Sequence, residues 1–278
     1  MTMTRRTFNR RLANAAAALP LLNLTARHGH AQEEPQAEAY DHPMPERWKG
    51  NETIALVLYP RFTALDLIGP QYMFASLMGA KVHLVAKTRD LVTSDTGVAM
   101  QPTITFAECP EDLTLVCVPG GTRGTLAAME DTETIAFLKD RGARAKYVTS
   151  VCTGSLVLGA AGLLQGYKAT SHWIAQDLLK YFGAIPTAGR IVQDRNRITA
   201  GGVTAGIDFG LTLVSQLRDA DYAQMVQLLA EYAPQPPFTT GTPATAAPQQ
   251  TQMLKEMLGP FLTKAESVSH AAAQRLSS

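Results

Sequence analysis

The chain has 278 residues, of which 46% are hydrophobic, and its 25 basic side chains nearly balance 24 acidic ones. Residues 1–31 contain five arginines and no acid, so the rest of the chain has 20 basic and 24 acidic residues, a formal charge of −4. This charge argues against nucleic acid as a partner. Three cysteines, with no Cys-x-x-Cys and no Cys/His cluster, argue against a disulfide framework and a zinc site.

The first residues of the chain form a candidate export signal. Residues 4–11, Thr-Arg-Arg-Thr-Phe-Asn-Arg-Arg, precede a mildly apolar stretch (12–24) and Gly-His-Ala at 29–31. This order resembles a twin-arginine signal with a small-residue cleavage site, the alternative being a basic disordered arm. The cleavage site predicts removal of residues 1–31, with no membrane segment in the mature form. Because proteins with such signals are exported folded, we expect a periplasmic location. Residues 32–50 are polar and contain prolines, which indicates a linker.

Strand-like and helix-like runs alternate between residues 51 and 233. The predicted strands are 53–59, 81–86, 113–118 and 146–151, and the predicted helices are 67–78, 132–141, 155–164 and 203–217. Extended excursions or hairpins are predicted at 91–106 and 190–199. Alternation of this kind predicts one α/β domain in which helices sandwich a parallel sheet.

The fourth predicted strand ends at a candidate nucleophile. Residues 148–155, Val-Thr-Ser-Val-Cys-Thr-Gly-Ser, pass from an apolar run directly into a small-residue, helix-like stretch. Such a nucleophile elbow lifts the Cys152 side chain out of the sheet, beside helix N–H groups whose positive field favours a thiolate. The alternative is an inert buried cysteine, which we expect for Cys109 and Cys117.

Two further strand ends carry groups that can serve a site. Asp66 is the one carboxylate of an apolar segment where the first strand gives way to a helix, although a first-turn or capping acid is an alternative role. Gly120 and Gly121 belong to a Pro-Gly-Gly turn, whose N–H groups can hold a developing anion or simply reverse the chain. Ligands of open parallel sheets bind beyond the carboxyl ends of the strands, so one crevice can collect these groups and Cys152.

Six segments together resemble the isonitrile hydratases. They are Phe-Thr-Ala-Leu-Asp-Leu-Ile-Gly-Pro (62–70), Val-Pro-Gly-Gly (118–121), Val-Cys-Thr-Gly-Ser (151–155), Ala-Thr-Ser-His-Trp (169–173), Ala-Gly-Gly-Val-Thr-Ala-Gly-Ile-Asp (200–208) and Pro-Pro-Phe-Thr-Thr-Gly-Thr-Pro (236–243). This branch, which includes cyclohexyl-isocyanide hydratase, lies within the class I glutamine amidotransferase-like superfamily of intracellular proteases and stress chaperones. The resemblance implies a flavodoxin-like fold, a homodimer, Cys152 as nucleophile, Asp66 as acid/base and Thr153 as a helper beside the nucleophile.

Departures from the sister branches narrow this interpretation. The related proteases have histidine directly after the cysteine, where this chain has Thr153. The amidotransferases activate their cysteine with a His-x-Glu pair, but neither His172 nor His270 is followed by that pattern. Most of the superfamily has glutamate near the first strand; this chain has Asp66 instead, as the hydratases do. Some transcription regulators share the same core, and they add a helix-turn-helix domain for which about forty residues leave no room.

The chemistry of an isonitrile accounts for a cysteine and an acid in one site. Hydration must deliver a nucleophile and a proton to the same terminal carbon, which Cys152 and Asp66 can do through a thioimidate that ends as an N-substituted formamide. We expect the thiol and the acid to share one proton, and no metal or organic cofactor to be needed. The expected function is a cysteine-dependent lyase acting on a small molecule. The alternative is a non-catalytic periplasmic protein that binds a ligand or senses oxidants through Cys152.

Other residues are assigned by position. His172, Trp173 and Tyr72 are candidates for the pocket wall, although His172 and Trp173 can equally begin a helix. The glycines of 200–208 lack a nucleotide-binding pattern, which indicates close strand-to-helix packing and a structural Asp208.

The end of the chain, residues 234–278, is a Pro/Thr/Ala-rich tail. Residues 234–252 are not expected to form a helix or a central strand. Residues 253–275 are expected to form either a terminal helix interrupted at Gly259-Pro260 or a frayed tail.

Overall fold

A seven-stranded sheet forms the centre of the computed structural model, which describes residues 44–277. The predicted export signal at residues 1–31 and residues 32–43 of the predicted linker lie outside these described residues. In the described part of the chain, no helix is long and apolar enough to cross a bilayer.

The strands are short and mostly buried. They are β1 (Thr53–Val57), β2 (Lys81–Ala86), β3 (Val92–Thr93), β4 (Ala99–Met100), β5 (Ile104–Thr105), β6 (Leu115–Val118), β7 (Tyr147–Val151), β8 (Lys168–Ala169), β9 (Ile185–Pro186), β10 (Ile191–Asp194) and β11 (Arg197–Ala200). The large sheet has the order β10-β11-β7-β6-β1-β2-β5, in which β10 and β11 are antiparallel and the other neighbours are parallel. Nearly every residue of β1, β6 and β7 is buried, because helices cover both faces of a parallel sheet.

Eight α-helices follow in the described residues. They are α1 (Ala64–Ala75), α2 (Thr122–Glu130), α3 (Thr132–Arg144), α4 (Gly154–Ala160), α5 (Ala205–Leu217), α6 (Ala220–Leu229), α7 (Pro248–Met257) and α8 (Gly259–Ser277). Two 3-10 helices, Glu46–Trp48 and Gln176–Phe182, complete the elements. The structure confirms the predicted α/β class, with a mostly parallel sheet between helices.

Two parts of the chain differ from the sequence prediction, and a third agrees with it. Helix α2 was not predicted, because Gly124 in its first turn is a poor helix former; a Cβ atom there would lie 2.4 Å from the Arg61 carbonyl oxygen. The hairpin predicted at 190–199 is confirmed as the antiparallel pair of β10 and β11, and β11 joins this hairpin to the large sheet by pairing with β7. The prediction of no helix in residues 234–252 is wrong for its last five residues, because α7 begins at Pro248, a residue well suited to a first helical turn.

Helix α1 is held in place by unusually close packing against α5. A Cβ atom on Gly206 would lie 3.1 Å from the Pro70 ring, and one on Gly210 would lie 2.7 Å from Met73. The two helices can therefore approach only because α5 presents glycines to α1. This contact joins two helices, whereas strand-to-helix packing was predicted for the glycines of 200–208, and it fixes the helix that carries Asp66.

The terminal helix is part of the core. Helix α8 buries Ala265, Val268, Ser269 and Ala272, and it contacts α2, α4 and the 3-10 helix Gln176–Phe182. By contrast, α7 has no buried residue. The two helices are separated at Leu258, which is next to the predicted interruption at Gly259-Pro260.

Candidate active site

Cys152 lies in a strained turn between β7 and α4. Its φ of 57° is in the left-handed region, which a residue with a side chain seldom adopts. The turn is fixed on both sides, because the Cys152 N–H donates to the Ala200 carbonyl oxygen at 3.0 Å and its own carbonyl accepts from Ser155 and Ser171 at 3.2 Å each. A Cβ atom on Gly154 would lie 2.1 Å from the Val118 carbonyl oxygen. The geometry is that of the predicted elbow.

Asp66 lies in the first turn of α1 and has no solvent-accessible surface. Its Oδ2 atom accepts the Gly120 N–H at 2.8 Å, while its Oδ1 atom is buried without a hydrogen-bond partner among the described residues. Of the alternative roles, the carboxylate does not cap its own helix, but it does lie in the first turn of that helix. It also interacts with the Cys152 thiol.

The Pro-Gly-Gly turn holds the catalytic candidates rather than an anion. The Gly120 N–H is taken by Asp66, and the Gly121 N–H donates to the Thr153 hydroxyl oxygen at 3.1 Å. Both N–H groups are occupied, so of the two roles considered for this turn, holding a developing anion or reversing the chain, only the second fits this geometry. A Cβ atom on Gly120 would lie 2.7 Å from the Thr153 nitrogen and 2.8 Å from Asp66 Oδ2, so the turn needs glycine to come this close.

The acid opposes ionisation of the thiol, whereas the hydrogen bond from the thiol favours ionisation of the acid. Burial raises the pKa of Asp66 to about 7, against the lowering effect of the Gly120 N–H and the Cys152 thiol. Burial and the Asp66 charge raise the pKa of Cys152, while the backbone and side-chain contacts of Thr153 lower it. Cys152 is only 6% exposed, and α4 has seven residues. In the resting site, desolvation therefore outweighs the helix field that was expected to favour a thiolate.

Thr153 lies behind the nucleophile rather than in an open pocket. Its hydroxyl is 3.1 Å from both the N–H and the carbonyl oxygen of Gly121, and 2.8 Å from the Thr125 hydroxyl. It is almost completely buried. The hydroxyl can donate a hydrogen bond to the sulfur, but the side chain is too buried to contact a substrate.

The three pocket candidates lie in different surroundings. His172 is half-buried beside Gly202 and next to Ser171, and burial lowers its pKa. Trp173 lines a cavity of about 350 Å³ that is otherwise formed by the tail, including Pro243 and Leu254. Tyr72 is 48% exposed on the outer side of α1 and does not line this cavity, so its place in a pocket wall stays a prediction.

A large cavity lies outside the cluster formed by Cys152, Asp66 and Thr153. It has a volume of about 1120 Å³ and is lined by residues that follow β1 and β2 and by the start of α2, among them Arg61, Lys87 and Arg123. Neither Cys152 nor Asp66 lines it. Sequence analysis overlooked Thr125 and Tyr59, which lie next to the cluster, because isolated hydroxyl residues in apolar runs give no local signal.

The remaining residues singled out in the sequence are Asp208, Cys109 and Cys117. Asp208, on α5, accepts hydrogen bonds from Arg190 and, at 3.2 Å, from Tyr232. Cys109 and Cys117 are buried, and burial raises the pKa of both thiols. Within residues 44–277, no group of three or more His, Cys, Asp and Glu side chains is placed to hold a metal ion.

Comparison with known proteins finds one family. The family model described as the DJ-1/PfpI family matches residues 52–216. An isonitrile hydratase of Pseudomonas putida is 50% identical over 223 residues, which cover 80% of this chain and 97% of that protein. The crystal structure of a ThiJ/PfpI family protein from Pseudomonas syringae has 55% identity and a TM-score of 0.80, and the match covers 83% of this chain and 98% of the other.

A more distant match comes from a different functional class. A helix-turn-helix transcriptional regulator of Pseudomonas aeruginosa is 27% identical over 182 residues, which cover 62% of this chain and 48% of the regulator. The chain therefore shares with that regulator a region that makes up about half of the regulator's length.

Proposed function

This chain belongs to the DJ-1/PfpI family, and on that premise we propose that it hydrates isonitriles to N-substituted formamides. The observation that carries the proposal is the electrostatic interaction between Cys152, held in a strained elbow, and Asp66, a buried carboxyl group whose pKa is raised to about 7. The half-identical isonitrile hydratase supports the choice of substrate class.

In the first half of the reaction, the Cys152 thiol adds to the divalent carbon of the isonitrile. The sulfur forms a bond to that carbon, and the proton shared by the thiol and Asp66 is transferred to the same carbon. The product is a thioimidate, R–N=CH–S–Cys152. No atom leaves, so the step needs only the proton that the pair already holds.

In the second half, water adds to the thioimidate carbon. Asp66 accepts one proton from the water, the substrate nitrogen gains a proton, and the carbon–sulfur bond breaks as the C=O bond forms. The formamide R–NH–CHO leaves, and the proton returns to the pair of Cys152 and Asp66. Water and isonitrile together account for every atom of the product.

The Gly120 N–H has a defined part in this scheme. Its hydrogen bond occupies Oδ2 of Asp66 and leaves Oδ1 without a partner among the described residues. We assign proton transfer to Oδ1 for that reason. Thr153, through its N–H and hydroxyl, stabilises negative charge on the sulfur as it attacks and as it leaves.

The test is direct. Purified protein is incubated with cyclohexyl isonitrile and with a short alkyl isonitrile, and formamide is followed by chromatography beside a Cys152→Ala variant. We expect formamide from the unaltered protein and none from the variant. If folded, reduced protein yields no formamide from several isonitriles, the hydratase proposal fails and the thiol-sensing alternative is favoured.

Location and assembly are part of the same proposal. We propose that the twin-arginine sequence at residues 4–11 directs the folded enzyme to the periplasm, and that the mature form is a homodimer. The dimer is supported by a row of exposed apolar side chains, Leu65, Ile68 and Tyr72, at helical spacing on the helix that carries Asp66. Fractionation of cells and light scattering of the purified protein test these two points.

A further inference from the structure

Three buried hydroxyl groups form a row behind the nucleophile. The Thr153 and Thr125 oxygens are 2.8 Å apart, the Thr125 and Tyr59 oxygens are 3.4 Å apart, and Tyr59 lies 2.5 Å from the Pro119 carbonyl oxygen. Thr125 is completely buried, and the other two hydroxyls are nearly so. Buried hydroxyl groups at these distances must divide a small number of protons among them.

The direction of the row is set at its far end. A carbonyl oxygen can only accept, so the Tyr59 O–H donates to Pro119 and its proton is committed there. Tyr59 can therefore only accept from Thr125. The Thr125 proton is left with two possible acceptors, Tyr59 at 3.4 Å and Thr153 at 2.8 Å, and the shorter distance favours Thr153.

A proton donated by Thr125 leaves the Thr153 hydroxyl with its own proton to donate. The Gly121 N–H and the Thr125 O–H then fill both acceptor positions of the Thr153 oxygen. The single Thr153 proton has only the Gly121 carbonyl, at 3.1 Å, or Cys152 as its acceptor. A thiolate is the stronger acceptor of these two, because hydrogen bonds to charged groups are the stronger ones.

We propose that Thr125 is a positioning residue that holds Thr153 as an acceptor and so directs the Thr153 proton onto the Cys152 sulfur whenever the sulfur is negatively charged. The donated bond also polarises the Thr153 hydroxyl and makes it a better donor. This inference deepens the proposed function, since that reaction uses the thiolate twice. The role of Thr125 concerns the reactivity of the Cys152 sulfur, however, and this reactivity can be measured without an isonitrile.

The experiment measures the second-order rate constant for alkylation of Cys152 by iodoacetamide at neutral pH. Thr125→Val removes the hydroxyl at constant volume, and we expect the rate constant to fall about 3- to 10-fold, the worth of one hydrogen bond. Thr125→Ser restores the hydroxyl and should restore most of the rate. Cys152→Ala reports the background from Cys109 and Cys117.

A double-variant cycle separates positioning from a general effect on structure. If Thr125 acts through Thr153, Thr125→Val should have no further effect in a Thr153→Val background. Thr149→Val is the matched control: Thr149 is equally buried, but its hydroxyl donates to Val116 at 2.9 Å, away from the row. It should leave the rate within about twofold, the range expected for sites that share no partner.

Two results would overturn the proposal. One is a folded Thr125→Val protein that is alkylated at the unaltered rate. The other is an equal loss of rate from Thr125→Val with and without Thr153. Because iodoacetamide is not a substrate, a failure of isonitrile hydration would not produce either result.

Discussion

The Asp66 carboxylate accepts the Gly120 N–H at 2.8 Å, so the turn after β6 holds an acid that belongs to the helix after β1. The same turn holds Thr153 through the Gly121 N–H. Two consecutive peptide groups thereby position an acid and a hydroxyl that both interact with Cys152. The arrangement explains why the turn needs two glycines although neither N–H faces an open anion site.

The rate of hydration should rise through about pH 7. The reactive form of the Cys152–Asp66 pair carries one proton, and the first proton is lost near the pKa of Asp66, which burial raises to about 7. The second is lost only at higher pH, because the pKa of Cys152 is raised. A pH profile of kcat/KM checks this; a profile that is flat from pH 5 to 8 would contradict the shared proton.

Asp66→Asn should lose activity and gain stability. A positioned acid/base contributes about 10²–10⁴-fold in rate, and formamide assays should show a loss of that order. The same carboxylate lowers the stability of the fold above neutral pH, because its folded-state pKa lies above its ordinary value. Replacing it should raise the free energy of unfolding by up to about 4 kcal/mol at pH 8, because one pKa unit corresponds to about 1.4 kcal/mol.

The sign of this stability change depends on pH. Wild-type protein loses stability as pH rises between the ordinary pKa of aspartate, 3.8, and the folded value of about 7, so the advantage of Asp66→Asn should grow over that range and then level off. Urea titrations of both proteins at pH 4.5 and 8 measure it. An advantage of equal size at both pH values would indicate that the raised pKa is not its source.

Gly120→Ala should abolish most activity without unfolding the protein. The added methyl group would lie within 2.8 Å of both Asp66 Oδ2 and the Thr153 nitrogen, which forces the acid away from the sulfur. A displacement of this kind costs about 10²-fold in rate. Gly241→Ala is the control, since a Cβ atom there has no neighbour within 4 Å. Equal activity of the two variants would show that the turn tolerates a side chain.

Arg218→Met should strongly destabilise the fold. The Arg218 guanidinium is buried and forms two hydrogen bonds with Glu52, at 2.5 and 2.8 Å, and others with the Trp48 and Met78 carbonyls. Removing one partner of a buried ion pair leaves the other charge desolvated, at a cost of about 3–5 kcal/mol. Denaturant unfolding at pH 7 measures the loss.

Two comparisons distinguish the loss of the buried Arg218–Glu52 pair from a general effect of replacing an arginine. Arg47→Met breaks an exposed pair with Asp219 and should cost far less. Burial raises the pKa of Glu52, but its bonds and charge interaction with Arg218 outweigh burial and hold it below the usual value. The stabilisation is therefore present at neutral pH and lost as pH falls through that lowered pKa, so the defect of Arg218→Met should shrink in acid.

The amino-acid sequence determined the fold class, the elbow and the identity of the acid. Buried apolar runs that alternate with helical runs specify a parallel sheet, and a cysteine between a strand and a small-residue helix specifies a nucleophile elbow, because both signals lie within a few consecutive residues. Asp66 was recognisable for a related reason, as a lone charge in an apolar segment.

Only the tertiary structure decided what surrounds these groups. Gly120 and Asp66 are 54 positions apart in the chain, and Thr125 and Thr153 are 28 apart, so no local pattern records that each pair shares a hydrogen bond. The same holds for the burial that raises the pKa of Asp66 to about 7 and for the outward position of Tyr72 on α1. Hydrogen-bond partners and desolvation arise from contacts between distant segments, which exist only once the sheet and its helices have packed.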